Sequence, residues 1–310
     1  MTHQTPLPHE YNEAPFGVVA ARVHGLSKSR LRASDLRAPH RGVRVLAQTG
    51  DELGHRLAAY AVHMASDEYF SHTTAAMIYG IPLPREIETA AGIHVSVQFP
   101  AHPPQVRGVV GHRLSVPIAP RTRAGLRMVS PARTFTQLAA VLSHDDLVIA
   151  GDFLVKRKAP LCTLEELMAA VASMGPSRGA LAARLALPEV RTGTDSPMES
   201  RTRLMIARAK LPEPVIGYAV RDENGDFIGT PDLAYVRERI AIEYQGSDHW
   251  TNPAVFAEDI ERRILFERAS WFVILVIADH IFRNPHWTTE RIRNALRDRA
   301  DLPPLPSHRA

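Results

Sequence analysis

Cysteine is almost missing from this chain. Cys162 stands alone, which excludes an intrachain disulfide and any zinc site built on several cysteines. Long apolar runs are missing too: the longest, Trp271 to Ala278, is far too short to span a bilayer. The opening Met-Thr-His-Gln-Thr-Pro lacks the charged-then-apolar pattern of a secretory leader, so a cytoplasmic protein is the expectation. No internal repeat and no long low-complexity segment occurs; the ends, through about Pro15 and from Pro303, are polar or proline-rich. Neither sign of charge dominates, with 37 Lys and Arg against 33 Asp and Glu. The pI near 9.4 still leans basic, which is compatible with a polyanionic partner. What is present is ordinary: 310 residues, 45% apolar and 23% charged, enough for two globular domains with a substantial core.

Taken in order, Arg41 to Val45 reads as a turn into a strand and Leu53 to Met64 as a helix. Ser71 or Thr73 is placed to cap a short helix that ends at Gly80, before the prolines at 82 and 84. His72 at its start can be read as a ligand or, more plainly, as a polar residue at a helix end. Short helices beside strands suit a winged-helix module or an ordinary mixed domain. Strands are predicted over Ile93 to Phe99, Val106 to Leu114 and Leu126 to Val129. Helices are predicted after Ser130-Pro131 and over about 145–156, 163–174 and 178–185, the second of these with capping-box spacing at Thr163 to Glu166. Lys156-Arg157-Lys158 can be read as a phosphate contact or, more plainly, as a solvated helix end. The polar break Arg191 to Asp195 is the predicted boundary between a largely helical N-terminal domain, 1–190, and a C-terminal domain, 191–310.

The C-terminal third has the richest pattern. Ser196-Pro-Met-Glu199 opens a helix, and Glu223-Asn-Gly-Asp226 marks a hairpin turn. Phe227 to Tyr235 is extended in character, and Ile240, Ile242 and Tyr244 alternate with Ala241, Glu243 and Gln245. If the turn between these segments is centred on Arg237 and Glu238, Asp232 falls directly opposite Glu243, with Cβ atoms about 4.5–5.5 Å apart. Two facing carboxylates repel, so either one keeps its proton or a cation lies between them. Hard divalent ions favour such oxygen ligands, which suggests Mg²⁺ or Mn²⁺. A solvated hairpin, or a register shifted by one residue, would leave no such site. An amphipathic helix over Pro253 to Ala269, with Phe256, Ile260 and Ile264 one turn apart, a buried strand over Trp271 to Ile277 and a helix over Pro285 to Arg299 complete an α/β (α+β) domain, a mixed sheet flanked by helices.

The ordered set Glu199, Pro231-Asp232, Glu243-Tyr244-Gln245 and Asp259-Ile-Glu-Arg262, followed by Ala269-Ser-Trp271-Phe-Val-Ile, resembles the PD-(D/E)XK nuclease superfamily. It looks most like the branch related to very-short-patch-repair endonucleases, over about residues 195–299. Residues 30–190 look like the AbiEi-antitoxin-like, winged-helix-related region of similar proteins. The resemblance implies a restriction-endonuclease-like fold and a Mg²⁺- or Mn²⁺-dependent DNA endonuclease. Asp232, Glu243 and the Tyr244 carbonyl would hold the ion, Glu199 would hold a metal-bound water or a second ion, and Arg262 would steady the phosphate or pair with Asp259. Gln245 stands where the family usually has lysine, supplying a neutral hydrogen bond in place of a charge. His249 is a candidate general acid or base, or a packing residue beside Trp250. Glu199 also fits a capping-box glutamate after Ser196. The alternative function is a non-catalytic DNA-binding regulator, or antitoxin-like protein, on a degenerate nuclease fold.

Overall fold

The computed structural model describes residues 6–90, 92–117, 119–246 and 253–303, and the chain divides into two compact units between Gln137 and Leu138. It is a mixed α/β protein. Among the described residues, no helix is long and apolar enough to cross a membrane.

The first unit begins with α1 (Glu10–Glu13) and α2 (Val18–Val23), beside a small sheet of β1 (Phe16–Gly17), β2 (Leu36–Arg37) and β3 (Val43–Leu46) in the order β1-β3-β2. The helix α3 (Leu53–His63) follows. A five-stranded mixed sheet comes next, built from β4 (Glu68–Phe70), β5 (Ile93–Gln98), β6 (Val109–Leu114), β7 (Pro120–Arg123) and β8 (Leu126–Val129) in the order β6-β5-β4-β8-β7. Between β4 and β5 lie α4 (His72–Tyr79) and α5 (Arg85–Glu88). Gly80 closes α4 in the left-handed conformation (φ 75°) that glycine adopts without a Cβ penalty. Alternate residues of β5, Ile93, Val95 and Val97, are buried with Phe70 and Met128, as a period of two requires. The helix α6 (Pro131–Leu138) ends the unit.

In the second unit come α7 (His144–Leu154), α8 (Leu164–Ala172) and α9 (Ala180–Ala186), then α10 (Pro197–Arg208). The capping box at Thr163 and Glu166 forms as the sequence predicts. These helices belong with the C-terminal unit, so the boundary lies at 137/138 and not at 190/191, and the N-terminal unit is strand-rich. Ion pairs that periodicity does not reveal tie α7 to α10. Arg203 Nη2 donates to Asp152 Oδ2 at 2.8 Å with both side chains buried, and Arg201 and Arg208 pair with Asp146 and Asp145.

A four-stranded mixed sheet forms the heart of the unit, in the order β14-β13-β12-β9, from β9 (Val215–Ile216), β12 (Leu233–Tyr235), β13 (Ile240–Tyr244) and β14 (Phe272–Val276). A separate hairpin, β10 (Val220–Arg221) and β11 (Phe227–Gly229), turns through Asp222, whose carboxylate accepts the N–H groups of Asn224 and Asp226. Two stretches that the sequence pattern presents as continuous strands, 215–220 and 227–235, are each two strands. Gly217 (φ 66°) breaks the first, and 230–232, with Pro231, breaks the second.

Leu233, Tyr235, Ile240, Ile242 and Ile274 share one core with Ile206 of α10 and Ile292 of α13 (Pro285–Asp298). Ala234, Ala241 and Val273 share another with Phe266 of α11 (Pro253–Arg268) and Trp271. The short α12 (Ala278–Phe282), which the sequence pattern does not predict, joins β14 to α13. The apolar stripe expected on α11 is rotated: Ile260 and Ile264 are 45% and 43% exposed, while Phe266 is buried edge-on against Trp271. The helix turns Arg262 and Phe266 to the sheet, where both side chains lie 3.3 Å from the point a Cβ on Gly229 would occupy.

Candidate active site

The turn at 236–239 sets a register in which Leu233 faces Ile242, Ala234 faces Ala241 and Tyr235 faces Ile240. Carried one step past the ladder, this register would set Asp232 against Glu243, and both side chains line one cavity. The Tyr244 N–H donates to Asp232 Oδ2 at 2.7 Å, and the Gln245 N–H donates to the Val276 carbonyl at 2.7 Å. The end of β13 is therefore held from both sides, by the Asp232 carboxylate and by β14.

Glu199 reaches the same place from the first turn of α10. Ser196 Oγ accepts the Glu199 N–H at 3.2 Å, so the expected cap forms. The returning bond of a capping box is displaced by one residue, since Glu199 Oε2 accepts from the Asp195 N–H at 2.8 Å. The helix-start role and the site role thus coexist in one side chain. Glu199, Asp232, Glu243, Tyr244, Gln245 and Arg262 all line one cavity of about 340 Å³. Arg262 Nη2 donates to Glu243 Oε2 at 3.2 Å. His249 lies outside the described residues, as do Trp250 and the Asp259 side chain.

Burial, then the negative charges of Glu199 and Glu243, push Asp232 up to about 7, against the opposing pull of the Tyr244 N–H and Arg262. Burial raises Glu199 as well, with Asp195 adding to the push.

Arg157 belongs to the same electrostatic group. Its Nε donates to Asp195 Oδ2 at 3.1 Å, and its charge acts on Glu199 and Asp232. The sequence reading treats Lys156-Arg157-Lys158 as a solvated helix end. No local signal marks Arg157, because its partner lies 38 residues away in the break before α10.

A pH dependence follows. Between the ordinary aspartate value near 3.9 and about 7, folded protein holds a proton on Asp232 that unfolded protein has released. Metal-free stability should therefore fall as pH rises through that window, by about 2–4 kcal/mol at pH 8 relative to pH 4. Asp232→Asn should remove that component and keep an acceptor for the Tyr244 N–H. Urea melts of both proteins across pH 4–8 test this; parallel curves for wild type and variant would show that Asp232 is not perturbed.

No family model matches the chain, and no solved structure matches it. It is similar to two curated proteins of Mycobacterium tuberculosis, "Uncharacterized protein MT2308" of strain CDC 1551 / Oshkosh and "Uncharacterized protein Rv2248" of strain H37Rv. Each is 29% identical over 256 residues, covering 83% of this chain and 90% of the relative.

Proposed function

We propose that the C-terminal unit is a Mg²⁺- or Mn²⁺-dependent DNA endonuclease domain of the restriction-endonuclease-like, PD-(D/E)XK kind. The observation that carries this reading is the convergence of Glu199, Asp232 and Glu243, from three separate elements, on one cavity with Gln245 and Arg262. The donors suit a hard divalent cation: three carboxylates, with no thiolate or imidazole among the described lining residues. The raised Asp232 carboxyl adds to this: burial first, then the charges of Glu199 and Glu243, disfavour its ionised form, and a cation offsets both.

In this reading Asp232 and Glu243, with the Tyr244 carbonyl, hold the ion, and Glu199 extends the acidic wall. Bound there, Mg²⁺ supplies Lewis-acid polarisation of a phosphate and a more acidic water. Gln245 offers the water or phosphate a neutral hydrogen bond. Arg262 offsets the charge of Glu243 and presents a planar fork suited to phosphate. The strand-rich N-terminal unit, with its small antiparallel sheet and short helices, would recognise DNA or a protein partner in the cytoplasm.

Gln245 is the specific observation favouring a second reading, a DNA-binding regulator or antitoxin-like protein without turnover. Lysine at 245 would add a positive charge where negative charge develops on phosphate. Gln245→Lys is therefore expected to raise metal-dependent plasmid nicking by about tenfold or more, a part of what one well-placed electrostatic donor contributes. A variant no faster than wild type would show that position 245 does not face the reacting phosphate. Wild-type protein that shifts DNA on a gel and leaves it intact with every metal would establish the regulator reading.

A further inference from the structure

We propose that the N-terminal unit carries a second metal site, of different chemistry: a zinc-binding site formed by His72, His94 and His112. Each residue offers one ring nitrogen, and the three nitrogens lie within 4.8 Å of one another. The residues come from three elements, the start of α4, β5 and β6. His94 Nδ1 and His112 Nε2 are 3.0 Å apart. Two imidazole nitrogens on a tetrahedral zinc, each at about 2.0–2.1 Å, are about 3.3 Å apart. The His72 ring lies against His112 with centroids 3.7 Å apart, and its ligand nitrogen stays within 4.8 Å of the other two.

Several observations on the surrounding residues point the same way. His72 Nδ1 is bonded to Ser71 Oγ at 3.0 Å, which leaves Nε2 as the ligand atom and supplies the outer-shell partner that metal-binding histidines commonly have. His94 is fixed by its main chain: its N–H donates to Thr74 Oγ1 at 2.8 Å and its carbonyl accepts from Ser71 at 3.0 Å. His72 is held at φ 52°, a left-handed conformation that few non-glycine residues adopt and that recurs at functional positions. Ser96, which pairs with His112 across β5 and β6, is fully buried with a hydroxyl that makes no hydrogen bond. A fully buried hydroxyl without a partner beside the cluster points to a further polar group at this place.

Imidazole nitrogens favour zinc and the neighbouring late transition ions over Mg²⁺. Three histidines also leave a fourth position for water or another ligand. The plainer alternative is a single N–H···N bond between neutral His94 and His112. That bond leaves His72 and Ser96 unexplained.

The test uses the full chain, stripped with chelator and titrated with Co²⁺, then with Zn²⁺. Visible absorption bands of tetrahedral Co²⁺ should grow to one equivalent and be displaced by Zn²⁺. His94→Ala and His112→Ala should each weaken binding by more than about 100-fold, and Ser71→Ala by about tenfold. Asp232→Asn should leave the bands unchanged, which separates this site from the acidic cavity. If the alanine variants do not fold, ring-nitrogen NMR of the wild-type chain decides: one equivalent of Zn²⁺ should shift three of the 15 histidines, His72, His94 and His112. Absence of bands in folded wild type, unchanged affinity in His94→Ala, or shifts at other histidines would overturn the proposal.

Discussion

Asp232→Asn is expected to lower Mg²⁺-dependent nicking of supercoiled plasmid by about a thousandfold, at unchanged or increased protein stability. The two halves of this expectation share one cause. Asp232 is partly buried and feels the charges of Glu199 and Glu243, so its ionised form is unfavourable without a cation. Asparagine keeps the acceptor for the Tyr244 N–H, removes the charge and relieves the repulsion. It also removes the charged oxygen that a hard divalent ion needs, and loss of one group from a charge-stabilising set costs about 10²–10³ in rate before weaker ion binding is counted. Glu243→Gln should behave alike, and it also removes the ion pair between Arg262 and Glu243 at 3.2 Å. Nicking by Asp232→Asn at the wild-type rate would remove the acidic cavity from the chemistry.

Arg203→Met is expected to destabilise the C-terminal unit by about 3–5 kcal/mol in urea melts. Arg203 is 3% exposed and Asp152 is fully buried, and the substitution leaves the carboxylate with the Arg191 N–H at 2.7 Å but without its cation. A buried charge stripped of its partner is the costly case; replacing the pair together is not. Asp152→Leu combined with Arg203→Met should therefore recover most of the loss. The pair couples α7 to α10, and α10 carries Glu199, so the single variant should also bind metal less tightly. A wild-type melt for Arg203→Met would mean that α7 is not held to α10 through this pair.

The acidic site was legible because its information is local. A symmetric turn about Arg237 and Glu238, with alternation after it, sets the register Leu233 to Ile242, and counting one step on brings Asp232 to Glu243. Helix ends were legible for the same reason, as at Thr163 with Glu166 and at Gly80. Other features depend on distant partners. Arg203 reads as a charged position in a polar helix, and only α7 buries it. The same coupling moves the boundary between units from 190/191 to 137/138. On α11 the isoleucines at 260 and 264 carry the periodic signal, but Arg262 and Phe266 face the sheet, where one meets Glu243 and the other Trp271. The three histidines of the N-terminal unit lie on separate elements, with no spacing motif to join them.

The claim beneath the nuclease reading is that Glu199, Asp232 and Glu243 share one divalent ion. Calorimetric titration of the full chain with Mg²⁺, which the imidazoles of the N-terminal unit disfavour, at pH 7 and in two buffers of different ionisation heat, measures that claim most directly. One ion should bind in the acidic cavity and release about half a proton, the proton that Asp232 carries when its carboxyl sits near 7; Asp232→Asn should abolish both the heat and the release. Binding that survives Asp232→Asn, or no binding at all by folded wild-type protein, would contradict it.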